Sequence, residues 1–188
     1  MNASNGGRGG GGGGGGGGDA GDPKRYYYQA SALRIEHKDT IVNNKRCWRS
    51  VRDERSTEVW ELLQVWFLYI EARINLINLS PQTEYAAYLI FKLKSDSKGL
   101  NGAYLDASVS LDNTLQENVV CLTPNAVAAS ANNLIRFPVE RSDGWMEVEL
   151  GQFYCDESTN REAVACLQKT TEREMSGLVV AGVDVRPT

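Results

Sequence analysis

Histidine is nearly missing: His37 is the only one in 188 residues. A serine–histidine or cysteine–histidine catalytic pair, or a metal site built from several imidazoles, would have to run through that one side chain. No positioned partner for it stands out, so neither catalysis nor a cofactor is expected. Cysteine is sparse as well. Cys47, Cys121, Cys155 and Cys166 fit neither CxxC nor any usual zinc-ligand spacing, so no metal site is expected and the four read as free thiols of a reducing compartment. There is no surplus of positive charge: 20 Lys and Arg stand against 24 Asp and Glu, a formal net charge of −4 with the signs mixed along the chain. That excludes the basic footprint of a nucleic-acid binder. No run approaches the roughly 18 apolar residues of a membrane span, and the start lacks the charged and then apolar segment of a secretory signal. A soluble intracellular chain is expected, cytoplasmic, with the nucleus left open as a second compartment. A GxGxxG opening a helix, a GxxxxGK(S/T) loop and internal repeats are absent too, which leaves nucleotide binding without support.

What the chain does contain begins with glycine. Residues 1–23, MNASNGGRGGGGGGGGGGDAGDP, hold 13 of the 19 glycines and no large apolar side chain except the initial methionine. They cannot offset the entropy of being ordered and read as a flexible, disordered tail. Residues 24–188 remain as one domain, long enough to bury on the order of 70% of its unfolded surface without disulfide or metal help. Apolar residues alternate in ALRIE (32–36), and KDTIVNNKR after it is turn-rich. EVWELLQVWFLYIEARINL (58–76) is apolar for most of its length and alternates in its second half, so Trp60, Trp66, Phe67 and Tyr69 read as core. SPQT (80–83) signals a turn into YAAYLIFKLK, a hairpin-like pair of strands. DASVSL alternates, and residues 112–133 read mostly as loop. WMEVEL, AVACLQ and GLVVAGVDV supply further strands. About eight strands and little helix argue for an antiparallel β-sandwich or barrel.

Four segments, taken in order, resemble the phloem protein 2 family of plant lectin-like domains. RSTEVWEL (55–62) is similar to RFSEVAEL, and LSPQTEYAAYLIFKL (79–93) to LSPGTTYAAYLVFKL. RFPVERSDGWMEVELGQFY (136–154) is similar to RYPxxRxDGWMEIELGEFF, and GLVVAGVDVRP (177–187) to GLIVEGIEIRP. The resemblance implies an all-β fold, an antiparallel β-sandwich of jelly-roll type. It also implies reversible binding of N-acetylglucosamine oligomers or N-glycan cores, on glycans or glycoproteins, with no chemistry done on them. Such a site needs an exposed ring for the apolar face of a pyranose and polar groups for its hydroxyls.

The chain departs from the family where those groups are expected. IEH replaces ITW, putting His37 at an aromatic position, and Trp48 is the one tryptophan left where the family carries several. Arg161 and Gln168 fall where sugar-binding members carry glutamates. The carbohydrate-binding residues implied are therefore Trp48, His37 and Gln168. Trp48 either faces a ligand from a loop rim or closes the core. His37 either stacks and donates to a sugar hydroxyl or is a solvated strand-end residue. Trp145, in RSDGW, reads as architecture, with Asp143 and Gly144 building its turn. Glu147 and Glu149 read as a solvated strand face. The alternative function is a protein-interaction or structural domain that keeps the scaffold without the sugar affinity. An F-box adaptor role finds no support in the glycine tail, which offers no helical segment.

Overall fold

The computed structural model describes residues 21–125, 134–157 and 160–188. Among them fourteen strands follow one another, with two short 3-10 turns and no α-helix. The early ones are β1 (Tyr26–Gln29), β2 (Arg34–Ile35), β3 (Ile41–Val42), β4 (Lys45–Arg46), β5 (Trp48–Arg52) and β6 (Glu58–Leu62). Then come β7 (Val65–Asn75), β8 (Thr83–Lys98), β9 (Tyr104–Leu111), β10 (Thr114–Cys121), β11 (Ile135–Arg136) and β12 (Val139–Glu140). The last are β13 (Met146–Cys155) and β14 (Glu162–Pro187). The number exceeds the eight expected chiefly because β2, β3, β4, β11 and β12 are two residues long, too short to show a period.

The strands form two layers that share β14. In the front layer its first half lies between β7 and β9, giving the order β2-β7-β14-β9-β10-β11. In the back layer its second half lies between β8 on one side and β1 and β6 on the other; β13 and β12 continue past β8, and β5 past β6. Every pairing in the two layers is antiparallel except β10 with β11. The register breaks between Thr170 and Met175, where β14 passes from one layer to the other. This is the antiparallel sandwich expected.

Four local expectations need correction. AVACLQ and GLVVAGVDV are not two strands but parts of one, because residues 169–176 between them contain neither Pro nor Gly and bend without leaving the ladder. The SPQT turn does not join a hairpin: β7 and β8 belong to different layers, and the corner, with Gln82 at a left-handed φ of 53°, carries the chain across. The segment 112–133 is not loop throughout, since β10 lies within it. Its alternation is hidden because Gln116 and Asn118 point inward, where Gln116 Oε1 accepts from Gln152 N at 2.6 Å and Asn118 Nδ2 donates to Leu150 O at 3.0 Å. Residues 126–133 of that segment, and residues 1–20 of the glycine tail, lie outside the described residues.

The fourth correction concerns the aromatics. Leu68, Ile70, Ala72 and Ile74 of β7 face the main core with Leu105, Ala107 and Val109 of β9 and Tyr85, Leu89 and Phe91 of β8. Each large side chain buried there contributes about 1.5–3 kcal/mol. Phe67 and Tyr69 take the opposite parity and lie half-buried on the outside. Trp66 shares the inward parity, but β14 has already bent away from it, and it is 38% exposed. Trp60 is half-buried against the core.

Candidate functional site

The alternation that sends Leu68 and Ile70 into the core turns the other residues of the front layer outward. On β7 these are Phe67, Tyr69 and Glu71; on β14, Cys166 and Gln168; on β9, Tyr104, Asp106 and Ser108; on β10, Glu117 and Val119. The register sets them in rows. Tyr69 pairs with Gln168, Gln168 with Asp106 and Asp106 with Val119; alongside run Glu71, Cys166, Ser108 and Glu117. Between β14 and β10 the face dips into a groove of about 530 Å³, lined by Asp106, Ser108, Glu117, Val119 and Gln168 with Leu134 at its β11 end.

One end of this face is aromatic. The rings of Phe67 and Tyr69 stack at 6.0 Å with 29° between their planes, and His37 meets Phe67 edge-on at 6.5 Å. The guanidinium of Arg34 lies 5.7 Å from the centre of the Tyr69 ring. Tyr69 is held rigidly: its hydroxyl donates to Glu71 Oε2 at 2.6 Å, and Arg73 Nε donates to Glu71 Oε1 at 2.9 Å. The bond to Glu71, aided by burial, pushes the Tyr69 hydroxyl far above the usual phenol range, so it stays protonated and fixed. Burial likewise pushes the Cys166 thiol upward, which keeps this floor residue from being a thiolate nucleophile. All four cysteines are buried free thiols.

The groove itself is differently equipped. Gln168, Asp106 and Glu117 are exposed, and no hydrogen bond or ion pair to another described residue engages their side chains. Two residues back along β9 from Asp106, about 7 Å away, the ring of Tyr104 is 57% exposed on the same face. The arrangement offers a flat apolar surface beside free donors and acceptors.

Of the residues implied by sequence, His37 and Gln168 meet on this face, on either side of β7. His37 occupies the turn after β2 with a φ of 62°, a conformation histidine tolerates better than most side chains. Trp48 does not join them. It is 0% exposed, part of the main core, and its Nε1 finds no partner. The reason lies in Gln64, whose Nε2 donates to Val42 O and Lys45 O, both at 2.9 Å, folding the β3–β4 hairpin over the start of β5. Cys47 O, accepting from Leu63 N at 2.8 Å, fixes the neighbouring backbone so that Trp48 turns inward opposite Leu62. Trp48 therefore closes the core, and the expectation of a ligand-facing ring is withdrawn. Arg161 is also elsewhere: it bonds Asp112 Oδ2 at 2.6 Å, seven residues before Gln168 along the chain or about 23 Å.

Sequence reasoning missed Tyr104, Phe67, Asp106 and Glu117. The alternation in YLDASVSL carried a signal for the first and third, because it sets Tyr104 and Asp106 on one side of the strand. The alternation of β7 set Phe67 on the side of Glu71 and Arg73 as well, but within so apolar a run it read as core.

A second hollow, of about 400 Å³, lies on the back layer among Arg25, Arg55, Arg141, Asp53, Asp143 and Asp184. Its charges satisfy one another: Arg25 and Arg186 both bond Asp184, and Arg141 bonds Asp143 at 3.2 Å and Glu147 at 3.1 Å. Beside it Trp145, 4% exposed, forms a small outer core with Val59, Ile90 and Ala181, under the ammonium of Lys92. Asp143 Oδ1 accepts from Trp145 N at 3.1 Å, and Gly144 supplies a φ of 81°. Trp145 is architecture, as its turn suggested.

The sequence matches the family phloem protein 2 across residues 23–187. Two Arabidopsis thaliana relatives are F-box protein PP2-B10, 30% identical with 74% of this chain and 52% of that protein covered, and F-box protein PP2-B7, 32% identical with 85% and 53% covered. The chain spans about half the length of these curated relatives. A looser overlay, TM-score 0.44 at 12% identity over 87% of this chain and 98% of the other, is with a family 35 carbohydrate binding module from Clostridium thermocellum. With that family matching residues 23–187, nearly the whole of the described chain, the chain belongs to the phloem protein 2 family.

Proposed function

We propose that this chain is a lectin-like module that binds carbohydrate reversibly on the outer face of its front layer. The observation that supports it is the single row in which the unengaged amide of Gln168 and carboxylate of Asp106 stand beside the exposed ring of Tyr104. A pyranose presents an apolar CH face to such a ring and hydroxyls to such polar groups. His37 and Phe67 extend the surface by two strands. The ligands proposed are N-acetylglucosamine oligomers and N-glycan cores, met within a reducing compartment of the cell. Binding is weak, because the groove is open and offers one well-exposed ring.

The test is calorimetric titration of the protein with N-acetylglucosamine oligomers. Millimolar binding is expected, weakened about two- to twelvefold by Tyr104→Ala, which corresponds to the 0.5–1.5 kcal/mol of one ring contact. Gln168→Ala should weaken it as well. No heat of binding for any oligomer or N-glycan would sink this reading. The enclosure of Trp48 favours a second one: a protein-interaction domain on the same scaffold, as parts of F-box proteins would require. A protein partner captured equally by wild type and Tyr104→Ala, together with silent sugar titrations, would establish it.

A further inference from the structure

The groove is lined by two carboxylates and, among the described residues, by no cation. Sixteen ion pairs, fourteen to Arg and two to Lys, engage about half of the described carboxylates. Asp106 and Glu117 take part in none of them. On β9 and β10 the registered pairs are Asp106 with Val119 and Ser108 with Glu117, so the two carboxylates are diagonal neighbours on one face, about 7–8 Å apart at the backbone. No Lys or Arg is among the residues lining the groove. The stretch between β10 and β11 that is not described, residues 126–133, reads AVAASANN and brings no charge wherever it lies. On the same layer Arg34 is ion-paired with Glu36 and Arg73 with Glu71 and Glu162, while Lys169 Nζ donates to the backbone Tyr104 O at 2.8 Å and keeps its charge.

A neutral sugar needs only hydrogen-bonding partners, and amides would serve it as well as carboxylates. Two carboxylates with no ion-pair partner among the described residues add a requirement of sign to the groove. Resting on the carbohydrate reading above, we infer that the groove selects sugars by charge: it favours oligomers carrying a free, protonated amine, as in β-1,4-linked glucosamine, over their N-acetylated counterparts, and it excludes sugars bearing carboxylate or sulfate. Asp106 and Glu117 are the residues that impose the selection. Tyr104 and Gln168 bind the sugar frame common to all three classes.

The experiment titrates the full chain with glucosamine tetramer, N-acetylglucosamine tetramer and an oligogalacturonate of the same length, at low salt and at about pH 6, where a sugar amine carries its proton. The expected order is glucosamine tetramer tightest, by about fivefold or more, then the acetylated tetramer, with no binding of the uronate. Raising the salt to about 0.5 M should erase most of the difference. The double variant Asp106→Asn with Glu117→Gln keeps the shape and the hydrogen-bonding capacity while removing both charges. It should bring the two tetramers to equal affinity. Equal binding of the two tetramers by wild type, or a preference that persists in the double variant, overturns the inference and leaves the carbohydrate reading standing. Binding of neither tetramer overturns both.

Discussion

Glu147 shows how much a single carboxylate can conceal from a sequence. At alternate positions with Glu149 on a polar strand face it reads as solvated. In the structure its oxygens accept from Arg186 Nη2 at 2.5 Å, Arg186 Nη1 at 2.9 Å and Arg141 Nη1 at 3.1 Å. Arg186 lies in turn 3.7 Å from the centre of the Tyr88 ring. The bond from Arg186, first among several causes, holds the Glu147 carboxyl below the usual carboxylate range. A depressed folded-state value means stability that is present above the unfolded value of about 4.3 and is lost as pH falls through the folded one. Glu147→Gln should therefore cost about 1–3 kcal/mol at neutral pH and progressively less below about pH 4. Urea unfolding of both proteins across that range measures it, and a gap that stays constant with pH would refute the assignment. The same distance between pattern and partner explains Trp48. Its burial depends on Gln64 gripping a hairpin some twenty residues earlier, information that no window around position 48 contains.

At the level of elements, parity was legible and pairing was not. The alternation of β7, β9 and β13 follows directly from their residues, as did the turn architecture around Trp145, because both are local. Which strand lies beside which is decided by contacts far apart in sequence, so the supposed hairpin across SPQT proved to be a crossing between layers. The edge strand β1 offers a test of such a contact. It docks against residues 182–185 of β14, and Gly182 is what lets it approach: a Cβ there would stand 2.2 Å from Tyr28 O and 2.6 Å from the Tyr27 hydroxyl. Gly182→Ala must push the strand off its neighbour, at a cost of about 2 kcal/mol or more. Thermal unfolding should show the loss, and hydrogen exchange should show it concentrated at the amides of residues 26–29. A variant as stable as wild type would mean that β1 contributes little to the back layer.

For the whole molecule, the governing fact is that one strand belongs to both layers. Unpairing the first half of β14 removes the central partner of β7 and β9; unpairing the second half removes that of β8, β1 and β6. Neither sheet can persist without the other, and the protein should unfold in a single transition. Tryptophan fluorescence and far-ultraviolet circular dichroism ought to give superimposable urea curves; two separated midpoints would show that the layers melt independently. The placement of the two ends completes the picture. Residue 24 enters at the back layer, where Lys24 N donates to Ser80 Oγ and Lys24 O accepts from the Tyr85 hydroxyl, and Thr188 leaves beside Glu84 on the same layer. A tether or neighbouring module joined at Thr188 is thus attached behind the sandwich, on the side away from the face proposed to bind sugar.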